Sequence, residues 1–261
     1  MSDHSKEPMS NYTPQNNRQL KALMAGGLAH LIHDGFTDML YVFFPIWQGI
    51  LGLSFAEVGF LKTLFSGTMA LFQVPAGMLA NRVGEFKLLL IGTVTTSFAV
   101  IFYGWGSTTF LLSCLLVIGG FGSSVQHPLS SSLISSAYQE NKQLRIALST
   151  YNVSGDFGKL LLPVAAAFLI TQFDWQTASR ILGILGLFIT IFLYFTTKTL
   201  LIGRPNCIGE NTEVSIKGSI LSVGKGINIF GCFQQSAYLI VQRGWDFSCF
   251  SLFYCKVKGL I

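Results

Sequence analysis

Charge is what this sequence has least of. Only 11% of its 261 residues are Asp, Glu, Lys or Arg, whereas soluble domains carry roughly 25%, and 51% are hydrophobic. That shortage excludes an ordinary soluble domain, and the positive mean hydropathy of +0.54 makes lipid the expected solvent. A basic stripe with interleaved aromatics is also missing. The net charge of +5 comes from residues scattered between apolar segments, which excludes a nucleic-acid partner and reads instead as a topology signal. The five cysteines include no CxxC spacing, and Cys249 and Cys255 have no matching His pair, so they carry no metal motif. A cleaved signal peptide is not expected either, because Met1 to Asn17 are polar and too long before the first apolar run to look like one. Residues 1–18 are expected to be a disordered cytoplasmic tail. Length sets the last bound: at ~20 apolar residues per span, the chain holds about six or seven spans but not twelve.

What is present is a series of long apolar segments. They run roughly from Leu20 to Gly49, Glu57 to Asn81, Phe86 to Trp105, Thr109 to Ser136, Arg145 to Phe173 and Thr177 to Thr197, separated by short polar or glycine-bearing turns. Six helices return the chain to its starting side. With the N-terminus inside, the inner flanks carry Lys6, Arg18, Lys21, Arg82, Lys87, Lys142, Arg145, Lys198 and Arg204, and the outer flanks only Arg180, as the positive-inside rule requires. Small residues such as Ser66-Gly67-Thr68, Gly119-Gly120 and Ala165-Ala166-Ala167 predict closely approaching helices.

An ionisable side chain at mid-bilayer costs at least ~2.5 to 3.5 kcal/mol on insertion scales, so each one needs a partner, a water-filled cavity or a task. In the first helix His30, Asp34 and Asp38 recur at i, i+4 and i+8, with His33 a turn from His30. Imidazole titrates near neutrality and a membrane carboxylate can exchange its proton, so a transport or proton-coupling site fits; an interhelical hydrogen-bond cluster that only specifies packing fits too. The fifth span places Asn152, Asp156 and Lys159 on one face, where Asp156 and Lys159 can neutralise each other or meet substrate. In the fourth span, His127-Pro128 follows a glycine-rich stretch; the proline frees a carbonyl and permits a kink, and His127 becomes a cavity candidate. His30, His33 and Asp34 also invite a metal reading, but zinc wants three or four convergent ligands with outer support, and no third element visibly supplies them, so no metal and no cofactor are expected. Phe36, Tyr41 and Trp47 read as packing rather than pocket.

Between the second and third spans stands Gly77-Met78-Leu79-Ala80-Asn81-Arg82-Val83-Gly84-Glu85-Phe86-Lys87, which resembles the major facilitator loop signature G-x-L-a-D-R-x-G-R-[KR]. A tight turn there needs glycine, and an acid beside Arg can bond helix ends and hold a gate shut. The gating-loop residues are Gly77, Asn81, Arg82, Gly84 and Lys87, with Asn81 in place of the acid and Glu85 in place of a base. Three more stretches resemble the fosmidomycin-resistance-type drug exporters: His30 to Gln48, Gly119 to Ser132 with its Gly-Ser-Ser-Val-x-His-Pro, and Asn152 to Pro163 with spaced glycines before a proline. The glycine-proline antiport signature is incomplete, since Leu162 stands directly before Pro163. The resemblance covers Leu20 to about Thr197. It implies an all-α membrane protein, the six-transmembrane-helix N-terminal half of a fold whose two halves surround a central cavity.

After Thr197 the pattern changes. Lys217, Lys225, Gln234, Gln235, Arg243 and Asp246 interrupt the apolar runs, and Cys207, Cys232, Cys249 and Cys255 lie there. Back-translation of Arg243 to Gly259 into the frame starting on each third codon base forces Gly at Trp245/Asp246 and Leu at Phe253/Tyr254 and Tyr254/Cys255. The remaining junctions permit a sequence that resembles the family's seventh helix. The expected organisation is therefore a tail over 1–18, a six-helix domain over 19–200 and a divergent tail over 201–261 that follows a lost reading frame or truncation.

The functional expectation is a non-enzymatic, proton-coupled small-molecule exporter, present as an incomplete half. Its partners would be substrate, protons, the bilayer and a complementary C-terminal half, and its place the bacterial inner membrane with a cytoplasmic N-terminus. The alternatives are a non-transporting membrane fragment and an intramembrane metalloenzyme built on His30, His33 and Asp34.

Overall fold

The computed structural model describes residues 14–138 and 141–198, and these form helices joined by short turns, with no strand among them. The helices are α1 (Pro14–Leu51), α2 (Phe55–Val83), α3 (Glu85–Tyr103), α4 (Thr109–Ser123), α5 (Gln126–Ala137), α6 (Asn141–Gln172) and α7 (Trp175–Thr197). Residues 1–13 and the stretch from 199 on, which holds the 201–261 tail and four of the cysteines, lie outside the described residues.

Local chemistry sets the joints. At the start of α2, Ser54 and Glu57 form a reciprocal capping box, satisfying two N–H groups that the first turn leaves without partners. Thr108 caps α4 by accepting from the Leu111 N–H, and Asp174 caps α7 by accepting from the Thr177 N–H. Between α2 and α3 the chain reverses at Gly84, whose φ of 103° lies in the region glycine occupies without a Cβ penalty. Helices α4 and α5 are one expected span broken at Ser124 and Val125. Pro128 has no N–H to return to the Ser124 carbonyl, so the helical ladder is interrupted one turn before it.

Among the described residues the seven helices follow the six apolar segments read from the sequence. Five stretches, with α4 and α5 counted together, are long and apolar enough to cross a membrane. The 38-residue α1 has the length but is too polar through its middle to join that set. Its packing explains why this is tolerated: α1 lies against α6, α5 and α7, so its polar residues meet helices rather than lipid. The other main contacts are α3 with α7 and α4, and α2 with α4.

One end of α1 anchors the apolar core, where Phe43 stacks on Trp47 and Trp47 meets Tyr103 edge to face, beside Leu112 and Leu116. Phe36 and Trp47 are buried packing residues, as expected. Tyr41 is not, because its ring is 59% exposed and carries the Lys62 ammonium 4.6 Å from its centre. The least covered spans are α2 and α6, at 17% and 22% buried against 56% for both α3 and α4–α5.

Candidate functional site

The first helix places His30, His33 and Asp34 on the face that turns inward, and all three are buried. Asp34 is the centre of the site. His30 Nε2 lies 3.1 Å from its Oδ2, His33 Nε2 3.8 Å from its Oδ1, His127 Nε2 3.9 Å from its Oδ1 and Lys159 Nζ 3.2 Å from its Oδ2. Three of the four histidines in the chain therefore converge on one carboxylate. The His30 and His33 rings each meet the His127 ring edge to face, at 5.1 and 4.9 Å.

Contact between α1 and α6 depends on missing side chains. A Cβ on Gly158 would fall on the Leu31 carbonyl, and one on Gly155 would stand 2.5 Å from His30 Cε1 and 2.7 Å from Asp34 Oδ2. Tyr151, Gly155, Gly158 and Leu162, spaced as one helical face, are all buried against α1. The polar face anticipated from the sequence, Asn152, Asp156 and Lys159, sits one residue round from it and is exposed. Only Lys159 reaches inward, on a long flexible stem, and it bridges Asp34 and Asp156 at 3.2 Å each. Asn152 stays outside the cluster. Asp38, half-buried one turn beyond Asp34, lies within electrostatic reach of Lys159 and Lys62.

The site is unevenly covered and more open on the side of His127 and Lys159. The side chains of His127 and Lys159 are 43% and 45% exposed, whereas those of Asp34 and His33 are almost fully covered. Tyr151, which the sequence did not single out, braces it. Its backbone carbonyl accepts from His30 Nδ1 at 2.9 Å, its ring stacks on His30 at 4.0 Å, and its hydroxyl lies 3.5 Å from His127 Nδ1. With Nδ1 donating, the other nitrogen of a neutral His30 carries a lone pair toward the cluster. That Nε2 is buried, and its near neighbour is the Asp34 carboxylate at 3.1 Å.

The metal-ligand count also differs from the sequence reading. The third element is α5, which brings His127 to His30 and Asp34, and the three ligand atoms lie within 4.8 Å of one another. Distance along the chain hid this, since the approach of α5 to α1 follows from the break at Ser124.

At the α2–α3 loop, Gly84 makes the turn, while Asn81, Arg82 and Lys87 are exposed and Gly77 has open space around it. Glu85 accepts from the Ser132 hydroxyl at 2.5 Å and so ties the loop to α5, one and a half turns beyond His127. This latch residue was visible in the sequence only as a departure from a motif.

Comparison with known proteins places this arrangement in a family. The chain is 28% identical over 172 residues to the fosmidomycin resistance protein of Escherichia coli, a match covering 63% of this chain and 41% of that protein. It is 25% identical over 150 residues to the uncharacterized transporter YybO of Bacillus subtilis, covering 58% and 34%, and 22% identical over 197 residues to the MFS-type transporter YfnC of the same organism, covering 72% and 48%. The matches thus span from about a third to about half the length of these relatives. The model of the Major Facilitator Superfamily matches residues 26–254, and the chain belongs to that family of membrane transporters.

Proposed function

We propose that this chain forms one half of a proton-coupled small-molecule exporter and that the cluster around Asp34 binds the coupling proton. The observation that carries the reading is a buried carboxylate faced by three imidazoles and one ammonium. With neutral imidazoles, Asp34, Asp38 and Asp156 against Lys159 and Lys62 leave one net negative charge, and one proton balances it. Away from bulk water such a balance is strongly favoured. Lys159 can then hold either acid, so protonation of Asp34 would release the ammonium toward Asp156 and the open side of the site. The fosmidomycin resistance protein, one of the relatives, motivates a drug-like small molecule as substrate and export as direction.

A second half is supported by α2 and α6, whose spans are largely uncovered. Lipid is a poor cover for the mid-span charges Asp156 and Lys159, whereas a water-filled cavity against a matching domain suits them. The basic flanks favour a cytoplasmic N-terminus in a bacterial inner membrane, with Arg82 and Lys87 in a cytoplasmic gating loop. The stretch after about residue 200 is read as following a lost frame, although the family match continues to residue 254. The encoding DNA tests this, and absence of a facilitator-like second half in another frame refutes it.

Function is tested by reconstituting the chain with and without a matching C-terminal half and following drug efflux driven by a pH gradient. The expected result is flux with both halves, none with the chain alone, and loss of the flux in Asp34→Asn. Flux from the chain alone would refute the half-transporter reading, unchanged flux in Asp34→Asn would remove Asp34 from coupling, and no flux in any combination would favour a non-transporting fragment.

A further inference from the structure

We propose that His30, Asp34 and His127 form a binding site for a borderline divalent transition-metal ion of the Zn2+ class. The site is the one on which the transport reading rests, but metal binding requires no second half and no transport, so the two readings fail separately.

The donor set suits such an ion. Two imidazole nitrogens and a carboxylate oxygen, with one position left open, match the three-ligand pattern of accessible zinc sites. Metal–ligand bonds of about 2.0 to 2.1 Å place tetrahedral donors roughly 3.3 Å apart. His30 Nε2 and Asp34 Oδ2 stand 3.1 Å apart, so this pair already has the required spacing. His127 completes the triad within 4.8 Å, and its half-exposed side chain has room to close the remaining distance. His33 Nε2, 3.8 Å from Asp34, stands in reserve for the open position.

Two independent features point to a ligand rather than to packing. The first is His30 Nε2 itself, on a residue 96% buried, aimed at the Asp34 carboxylate and set among the other two donors. The second is the outer support. Metal-bound histidines almost always hold their second nitrogen on a carbonyl or another acceptor, which fixes the tautomer. Here the carbonyl of Tyr151 takes His30 Nδ1 at 2.9 Å, and the hydroxyl of the same residue faces His127 Nδ1 at 3.5 Å. One residue of α6 thus backs ligands from α1 and α5.

The cation now beside Asp34 is Lys159. A metal ion would displace that ammonium, which keeps Asp156 as its partner at 3.2 Å. Metal and lysine therefore compete for one carboxylate.

The test uses the full chain, purified without a histidine tag, titrated with Zn2+ against a chromophoric zinc indicator and with Co2+ by visible absorption. The expected result is one high-affinity ion with the spectrum of four-coordinate nitrogen and oxygen ligation. His127→Asn, at a half-exposed position that tolerates the change, should weaken binding at least about tenfold, and so should Asp34→Asn. Lys159→Gln should tighten it, and an unchanged affinity there would overturn the competition with lysine. Failure of the wild-type chain to bind, equal binding by both ligand variants, or thiolate charge-transfer bands from Co2+ on cysteine would overturn the site.

Discussion

Two helix seams in this bundle are both closed by glycine and differ in the groups they bring together. Where α3 meets α7, a Cβ on Gly183 would stand 2.5 Å from Ile101 and 2.8 Å from the Ser97 carbonyl. Every hydroxyl named along this seam has a backbone acceptor: Ser97 on Thr93, Ser179 on Val100 and Thr190 on Gly186. Where α1 meets α6, glycine again admits close approach, but the groups brought together are a carboxylate, an imidazole paired with it and a lysine that serves two acids. The first seam is held by uncharged hydroxyls along its length, and at one end Tyr103 Oη and Arg180 Nε are buried without a hydrogen-bond partner. The second brings together ionisable groups, which are costly in a membrane unless they are paired or used.

The largest effect that would break this comparison is Gly158→Leu. Its side chain would have to enter the space of the Leu31 carbonyl, a backbone atom that cannot rotate away. Overpacking typically costs about 1 to 3 kcal/mol, and here more is expected, so detergent-solubilised protein should fail to give a monodisperse chromatographic peak. Next comes Asp34→Asn, which keeps the shape and removes the charge. It should lose pH-driven efflux in the reconstituted pair while its thermal melt stays near that of the wild type. A folded variant without flux sharpens the distinction between the seams. Ser179→Ala in the dry seam is the counterpart. Interhelical hydrogen bonds in membranes average about 0.6 kcal/mol, so a small drop in melting temperature with full flux is expected.

The smallest effect lies in the connecting loop before α7. The Thr177 side chain and backbone N–H hold the exposed Asp174 carboxyl below its ordinary value. A depressed folded-state value stabilises above the unfolded pKa, near 4, and that contribution is lost as pH falls through the folded one. Asp174→Ala should therefore lower the melting temperature slightly at pH 7, with the difference shrinking in acid.

The six spans and the polar middle of α1 were legible in the sequence because apolar length and i, i+4 spacing are local signals. Asp34 stood out on the same ground. His127 was visible as a histidine before a proline, but its place beside Asp34 depends on a helix break and on packing across more than ninety residues. Tyr151 escaped notice because it acts largely through a backbone carbonyl, which no side-chain pattern advertises. Asn152 shares a face with Asp156 and Lys159, as expected, and lies outside the Asp34 cluster for a geometric reason. Along α6 the face that touches α1 is set by Gly155 and Gly158, not by the polar residues one position round, and only a side chain as long as that of Lys159 spans the difference.

On the proposed reading, Asp34 joins groups from α1, α5 and α6 into one cation-binding unit. His30, His33, His127 and Lys159 meet its carboxylate, Tyr151 stacks on His30, Asp156 shares Lys159, and Asp38 of α1 lies within electrostatic reach of Asp34, Lys159 and Lys62. Nitrogen-15 NMR of histidine-labelled protein followed against pH tests this most directly. Interacting sites titrate as a set rather than residue by residue. The ring signals of His30, His33 and His127 should move in linked transitions, and Asp34→Asn should shift all three together. Three independent titrations, each at the ordinary histidine value and each unmoved in Asp34→Asn, would contradict the account.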